Sequence, residues 1–177
     1  MTMNLSWTIS LVVIGSLLLV GCEKSVTTAA PPTTNQIGSV PTKVQPKLPT
    51  IKVWLGSQEL VTEVARTDLQ IHTGMMFREA IAESEAMIFV FDRPDYRAFW
   101  MKNVSVPLSC AYIDPDGVIL EIHDMTPQET KPIESATGRI QFVLETKQGW
   151  FERNKVATGT IVRTERGSLA ETFFRRR

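Results

Sequence analysis

The chain has 177 residues, and its 19 lysines and arginines balance 19 acidic residues to a formal net charge of zero. Such neutrality lacks the basic excess of a nucleic-acid binder, so no nucleic-acid partner is expected. The two histidines, His72 and His123, and the two cysteines, Cys22 and Cys110, stand in no ligand spacing, so neither a metal site nor a cofactor is expected.

Residues 5–20 carry no charge and are mostly apolar, then run into Leu19-Val20-Gly21-Cys22. The run is shorter than the roughly 20 apolar residues that span a bilayer, and Ser6, Thr8, Ser10 and Ser16 dilute it. It reads as the apolar region of a signal peptide over residues 1–21. The segment resembles a bacterial lipoprotein leader, which implies cleavage after Gly21 and lipid on the Cys22 thiol. Acyl chains contribute about 0.8 kcal/mol per buried methylene, so two or three would hold the chain on the face of an envelope membrane. No Lys or Arg precedes the apolar run, a departure from ordinary secretory leaders. An uncleaved anchor and an ordinary cleaved signal are the alternatives.

Residues 22–49 are rich in Thr, Pro, Ala, Val and Gln and poor in large apolar residues, which predicts a disordered, partly proline-stiffened tether. From Ile51 the composition becomes globular, and one β domain is expected over residues 50–168, long enough for a single core. Residues 169–177 end in Arg175-Arg176-Arg177 and read as a basic, frayed tail.

Within the domain, residues 51–55 and 60–64 flank Gly56-Ser57-Gln58, a hairpin signal. Thr67 followed by Gln70 forms a capping box, Asp68 suits the positive end of a helix, and Gly74 can close it. Residues 87–91 are apolar throughout, as in a strand covered on both faces. Further strands are expected over 98–101, 108–113, 118–122, 140–144 and 160–163, with a weaker second helix over 150–156. Asp114-Pro115-Asp116-Gly117 is a tight-turn sequence between two of the strands. The pattern predicts a mainly β fold, an antiparallel sandwich or barrel of jelly-roll kind with one or two short helices. Cys110, alone in the apolar run 108–112, is expected to be a small buried hydrophobe.

Several strings occur in a telling order: Glu63-Val64-Ala65, Gly74-Met75-Met76-Phe77-Arg78, Met87-Ile88-Phe89-Val90-Phe91, Phe99-Trp100-Met101-Lys102-Asn103, Pro107-Leu108, Asp116-Gly117 and Val143-Leu144-Glu145. On these residues the chain resembles the domain of unknown function 192 family from Val53 to about Thr164. That resemblance implies a small jelly-roll-type β-sandwich without a settled activity. Ser109 stands where the family usually has aspartate, and Ala86 where it tends to have glycine.

Strand alternation places Phe99 and Met101 on a core face and Trp100 and Lys102 on the other. Arg78, Trp100, Lys102 and Asn103 are the candidate ligand-binding residues: an aromatic platform, two cations and an amide suit a sugar ring or an anionic polymer unit. The competing reading makes Trp100 part of the core rim, pairs Arg78 with Glu63 or Glu145, and gives Asn103 a turn to satisfy. No residue is assigned a catalytic role. The expected function is an envelope lipoprotein with a binding or accessory domain that recognises glycans or envelope polymers, exported and anchored through Cys22. The alternatives are a carbohydrate-active hydrolase or lyase using an acidic pair, and a structural partner of another envelope protein; oligomeric state is left open.

Overall fold

In the computed structural model, residues 41–175 are described. The signal segment, Cys22 and the first part of the tether lie outside the described residues. The chain runs β1 (Thr50–Leu55), β2 (Gln58–Ala65), α1 (Asp68–Thr73), β3 (Glu85–Asp95), β4 (Ala98–Phe99), β5 (Leu108–Ile113), β6 (Ile119–Met125), β7 (Ile133–Glu134), β8 (Ile140–Lys147), α2 (Trp150–Arg153), β9 (Val162–Thr164), β10 (Gly167–Ser168) and α3 (Leu169–Phe174). The fold is mainly β, as expected.

Eight strands form one sheet in the order β10-β9-β1-β2-β3-β8-β5-β6, and β4 and β7 make a separate two-stranded ladder. Gly117, Ile119, Thr160 and Val162 exchange backbone hydrogen bonds around a bridge between Val118 and Ile161, which brings the far side of β6 back to β9. The result is barrel-like. Contrary to a purely antiparallel expectation, β2 and β3 pair in parallel, Glu63 opposite Met87 and Ala65 opposite Phe89. The crossover through α1 supplies the length that a parallel pair requires and a tight hairpin cannot.

Each face of the sheet carries a core. One gathers Val53, Leu55, Leu60, Ile88, Phe142 and Leu144; the other gathers Met87, Phe89, Leu108, Cys110, Tyr112 and Val143, beneath Met75, Met76 and Met101 from the loops. Strands buried on both faces explain the apolar run 86–91 of β3 and the fully buried, mostly apolar β5. Ala86 is buried in ordinary strand register opposite Thr62 and Thr146, so no glycine is required there.

Both ends of the domain extend beyond the expected limits. Upstream of Pro49, the Gln45 amide donates to the carbonyls of Gln70 and Gly74 at 3.2 and 2.8 Å, tying this segment to the end of α1. The Leu48 amide donates to Glu63 at 2.7 Å. Downstream, residues expected to fray instead form α3. Ser168 and Glu171 make a reciprocal capping box, Leu169 is buried, and Phe173 and Phe174 pack about 6 Å from Phe142.

Candidate functional site

The strings 74–78 and 99–103 run into turns that brace one another. Phe77 and Asn103 both adopt left-handed backbone conformations, at φ 62 and 60, and the Phe77 amide donates to the Asn103 carbonyl at 2.8 Å. Asparagine tolerates this region and a bulky phenylalanine seldom does, so the second turn holds the first in a strained shape. The Ser105 hydroxyl reaches the Arg78 carbonyl, and the Met101 amide reaches the Glu129 carbonyl, fixing both turns over the sheet.

These turns aim Arg78 at the sheet. Its two terminal nitrogens bond the two oxygens of Glu63 at 2.6 and 2.8 Å, with both side chains nearly buried. Burial raises the Glu63 carboxyl, but the bonds from Arg78 and the Leu48 amide outweigh it and hold the group below the usual carboxylate range. Strand register then defines a row across the sheet: Glu63 lies opposite Met87, Met87 opposite Glu145, Glu145 opposite Cys110, and Cys110 opposite His123.

Glu145 is the unusual member of that row. Only 4% of it is exposed, its Oε2 has no hydrogen-bond partner, and burial among apolar neighbours pushes its carboxyl up to about 8 despite the nearby Arg78 charge. The Arg78 Nε is also buried without a partner. Buried polar atoms are nearly always hydrogen-bonded within the protein or to solvent, so these two stand out among the side chains of the row. Cys110 beside it is buried, and its thiol is pushed upward by desolvation and by the Glu145 charge, the reverse of what a nucleophile needs.

Glu145 opens onto a cleft of about 320 Å³ between α1, the loop after β3, and β4. Its walls include Met75, Met76, Phe89, Phe91 and Phe99, with Tyr96 and Trp100, respectively 67% and 39% exposed, among the lining residues. Phe99 stands edge-on to Phe89 at 4.8 Å and to Tyr112 at 6.1 Å, which sets the wall. The Arg97 guanidinium also lines the cleft; it lies 3.8 Å from the Phe91 centroid and donates to the carbonyls of Arg93 and Ile140.

Of the four candidate binding residues, Trp100 lines the cleft and Arg78, Lys102 and Asn103 do not. Arg78 is committed to Glu63 because its buried charge needs a carboxylate; Lys102 Nζ lies 5.4 Å from the Trp100 ring centroid; Asn103 serves the turn and places its amide 4.0 Å from the Met76 sulfur. They form a supporting frame rather than one concavity. The sequence marks Glu145 only as an alternative partner for Arg78, without showing its isolation, and gives no signal at Tyr96 and Arg97, which sit in a polar loop without periodicity. His123 pairs with Glu121 at 3.0 Å, whereas Asp124 accepts from the Ser109 hydroxyl, which itself accepts from the Gly149 amide at 2.8 Å. Among the described residues no cluster of three His, Cys, Asp or Glu side chains could hold a metal, and no helix is long and apolar enough to cross a membrane.

A family model, DUF192 (Uncharacterized ACR), matches residues 51–164. The chain belongs to the DUF192 family. No curated protein matches it. Among solved structures, this DUF192 chain is similar to a Sinorhizobium meliloti protein described as a "putative transcription regulator", at 28% identity and a TM-score of 0.65, covering 68% of this chain and 98% of the other. It is also similar to a protein of unknown function from Novosphingobium aromaticivorans, at 28% identity and a TM-score of 0.61, covering 80% and 99%. The match spans the strings from β2 to β8, so the braced turns, the Arg78–Glu63 pair and Glu145 all lie within the DUF192 region.

Proposed function

We propose that this DUF192 chain is an envelope lipoprotein, anchored through lipid on Cys22, whose domain binds a saccharide unit of an envelope polymer in the cleft beside Trp100. One observation carries the binding reading: two solvent-exposed aromatic rings, Tyr96 and Trp100, line a cleft that also contains a buried carboxyl with an unused oxygen. Apolar ring faces stack on flat aromatic rings, and a single well-placed polar group fixes orientation. The anchor rests on the leader sequence ending at Gly21-Cys22.

Glu145, protonated at neutral pH, has the chemistry of a general acid, which favours hydrolysis as the second reading. Glycoside hydrolysis calls for a second carboxylate across the bond. Among the described residues Glu145 is the one acid lining the cleft, and Glu63 is locked by Arg78 and Leu48. Binding is therefore preferred. The regulator description of the Sinorhizobium protein does not suit a chain whose formal net charge is zero, because DNA affinity is carried mainly by phosphate contacts from cations.

The test is calorimetric titration of the full chain with neutral, acidic and amine-bearing oligosaccharides. A Kd between roughly 10 µM and 1 mM is expected for at least one class, as befits an open site. Trp100→Ala should abolish it. Absence of binding across the panel refutes the reading.

A further inference from the structure

The charges buried beside the cleft do not balance. Arg78 contributes one positive charge and Glu63 one negative, and these two satisfy each other with paired bonds. Glu145 adds a second carboxyl to the same row of the sheet, with no cation of its own within bonding distance and Oε2 unpartnered. A buried carboxylate without a counter-charge is unstable in an apolar setting, so the imbalance is resolved either by a proton on Glu145 or by a positive group brought from outside.

The surroundings of Glu145 suit the second resolution. The cleft into which it opens is walled by Phe89, Phe91 and Phe99 and by the sulfur-bearing side chains of Met75 and Met76. Aromatic faces attract cations through their quadrupoles, more strongly where water is excluded. Among the described residues, the other charged or titratable ones lining the cleft are His72 from α1 and Tyr96 and Arg97 from the loop after β3. The Arg97 guanidinium is already engaged with the Phe91 ring and with the carbonyls of Arg93 and Ile140. It therefore supplies no bond to Glu145, yet shows that this aromatic wall accepts a cation.

Resting on the saccharide reading above, we propose that the unit bound in this cleft is an amino sugar with a free amine, its ring against Trp100 and its ammonium seated against the Glu145 carboxyl. A hydroxyl at that position would satisfy the oxygen but leave the charge of the ionised carboxyl uncompensated; an ammonium does both.

The experiment compares three probes on the full chain by calorimetry: an oligomer of glucosamine, the same oligomer N-acetylated, and a glucose oligomer of equal length. The glucosamine oligomer should bind at least tenfold more tightly than the other two. Equal affinities for all three overturn the inference while leaving the saccharide reading intact, and no binding of any probe overturns both. Glu145→Gln should erase the preference for the amine, with a thermal melt at pH 5 as the check on folding. A preference that survives in Glu145→Gln assigns the amine contact elsewhere and overturns the inference. The three-probe comparison on the unmodified chain tests the inference even where the variant fails to fold.

Discussion

Glu145→Gln should make the domain more stable in mildly alkaline solution. In the unfolded chain this carboxyl titrates near the ordinary value of 4.5, whereas in the fold it is pushed up to about 8 by burial. Between those values the folded state holds a proton that the unfolded state has released, so stability falls as pH rises through the window and the loss is complete above about 8. A gap of about 3.5 pH units at 1.36 kcal/mol per unit sets a ceiling of about 5 kcal/mol for a group this deeply buried. Glutamine matches the protonated side chain in shape and does not ionise, so the two proteins should melt together near pH 5 and diverge by pH 8.5. For a domain of this size the divergence corresponds to a Tm difference of the order of 10 °C. Calorimetric melts of both proteins at half-unit pH steps decide the matter. Parallel Tm profiles between pH 5 and 8.5 would refute the buried, unpartnered state of Glu145.

Removing Arg78 alone, as Arg78→Met, leaves Glu63 buried and uncompensated and should cost about 3–5 kcal/mol in a urea unfolding curve; adding Glu63→Met should recover most of that loss. A double variant as unstable as Arg78→Met would show that the pair's charges are not the reason for the loss. Cys22→Ala should abolish incorporation of a palmitate analogue in metabolic labelling, since Cys110 is buried in the domain core. Label retained by that variant would place the lipid elsewhere or remove the anchor from the account.

Much of the fold was legible because its signals are local. The Thr67–Gln70 capping box starts α1, the Asp114–Gly117 turn joins β5 to β6, and the uniformly apolar run in β3 is covered on both faces. The parallel β2–β3 pairing was not legible, since it depends on where the α1 crossover returns the chain, which no residue pattern states. Nor was α3, although the Ser168–Glu171 capping box was present in the sequence; the arginines after it suggested fraying, and the packing of Phe173 and Phe174 on Phe142 decides otherwise. At the site, Met101 is buried and Trp100 exposed as expected, but β4 ends at Phe99 rather than Met101, so turn geometry and not strand alternation sets their directions. Sequence reasoning also grouped Arg78, Lys102 and Asn103 with Trp100, because their residue types suit a ligand. The partners of Arg78 and Asn103, Glu63 and the Phe77 turn, are settled by tertiary contact, and Lys102 lies over its near neighbour Trp100. Glu145 shows the limit most clearly: its chemistry comes from the absence of a partner, which becomes visible only once its neighbours are in place.

The central claim, that the cleft beside Trp100 is the binding site, is tested most directly by following the indole N–H resonances during titration with the glucosamine oligomer. The chain has four tryptophans, at positions 7, 54, 100 and 150. Ring stacking in the cleft predicts that the Trp100 signal shifts progressively to saturation while that of Trp150, buried in the opposite core, stays in place. A Trp100 signal that does not move while other resonances of the domain report binding would contradict the account.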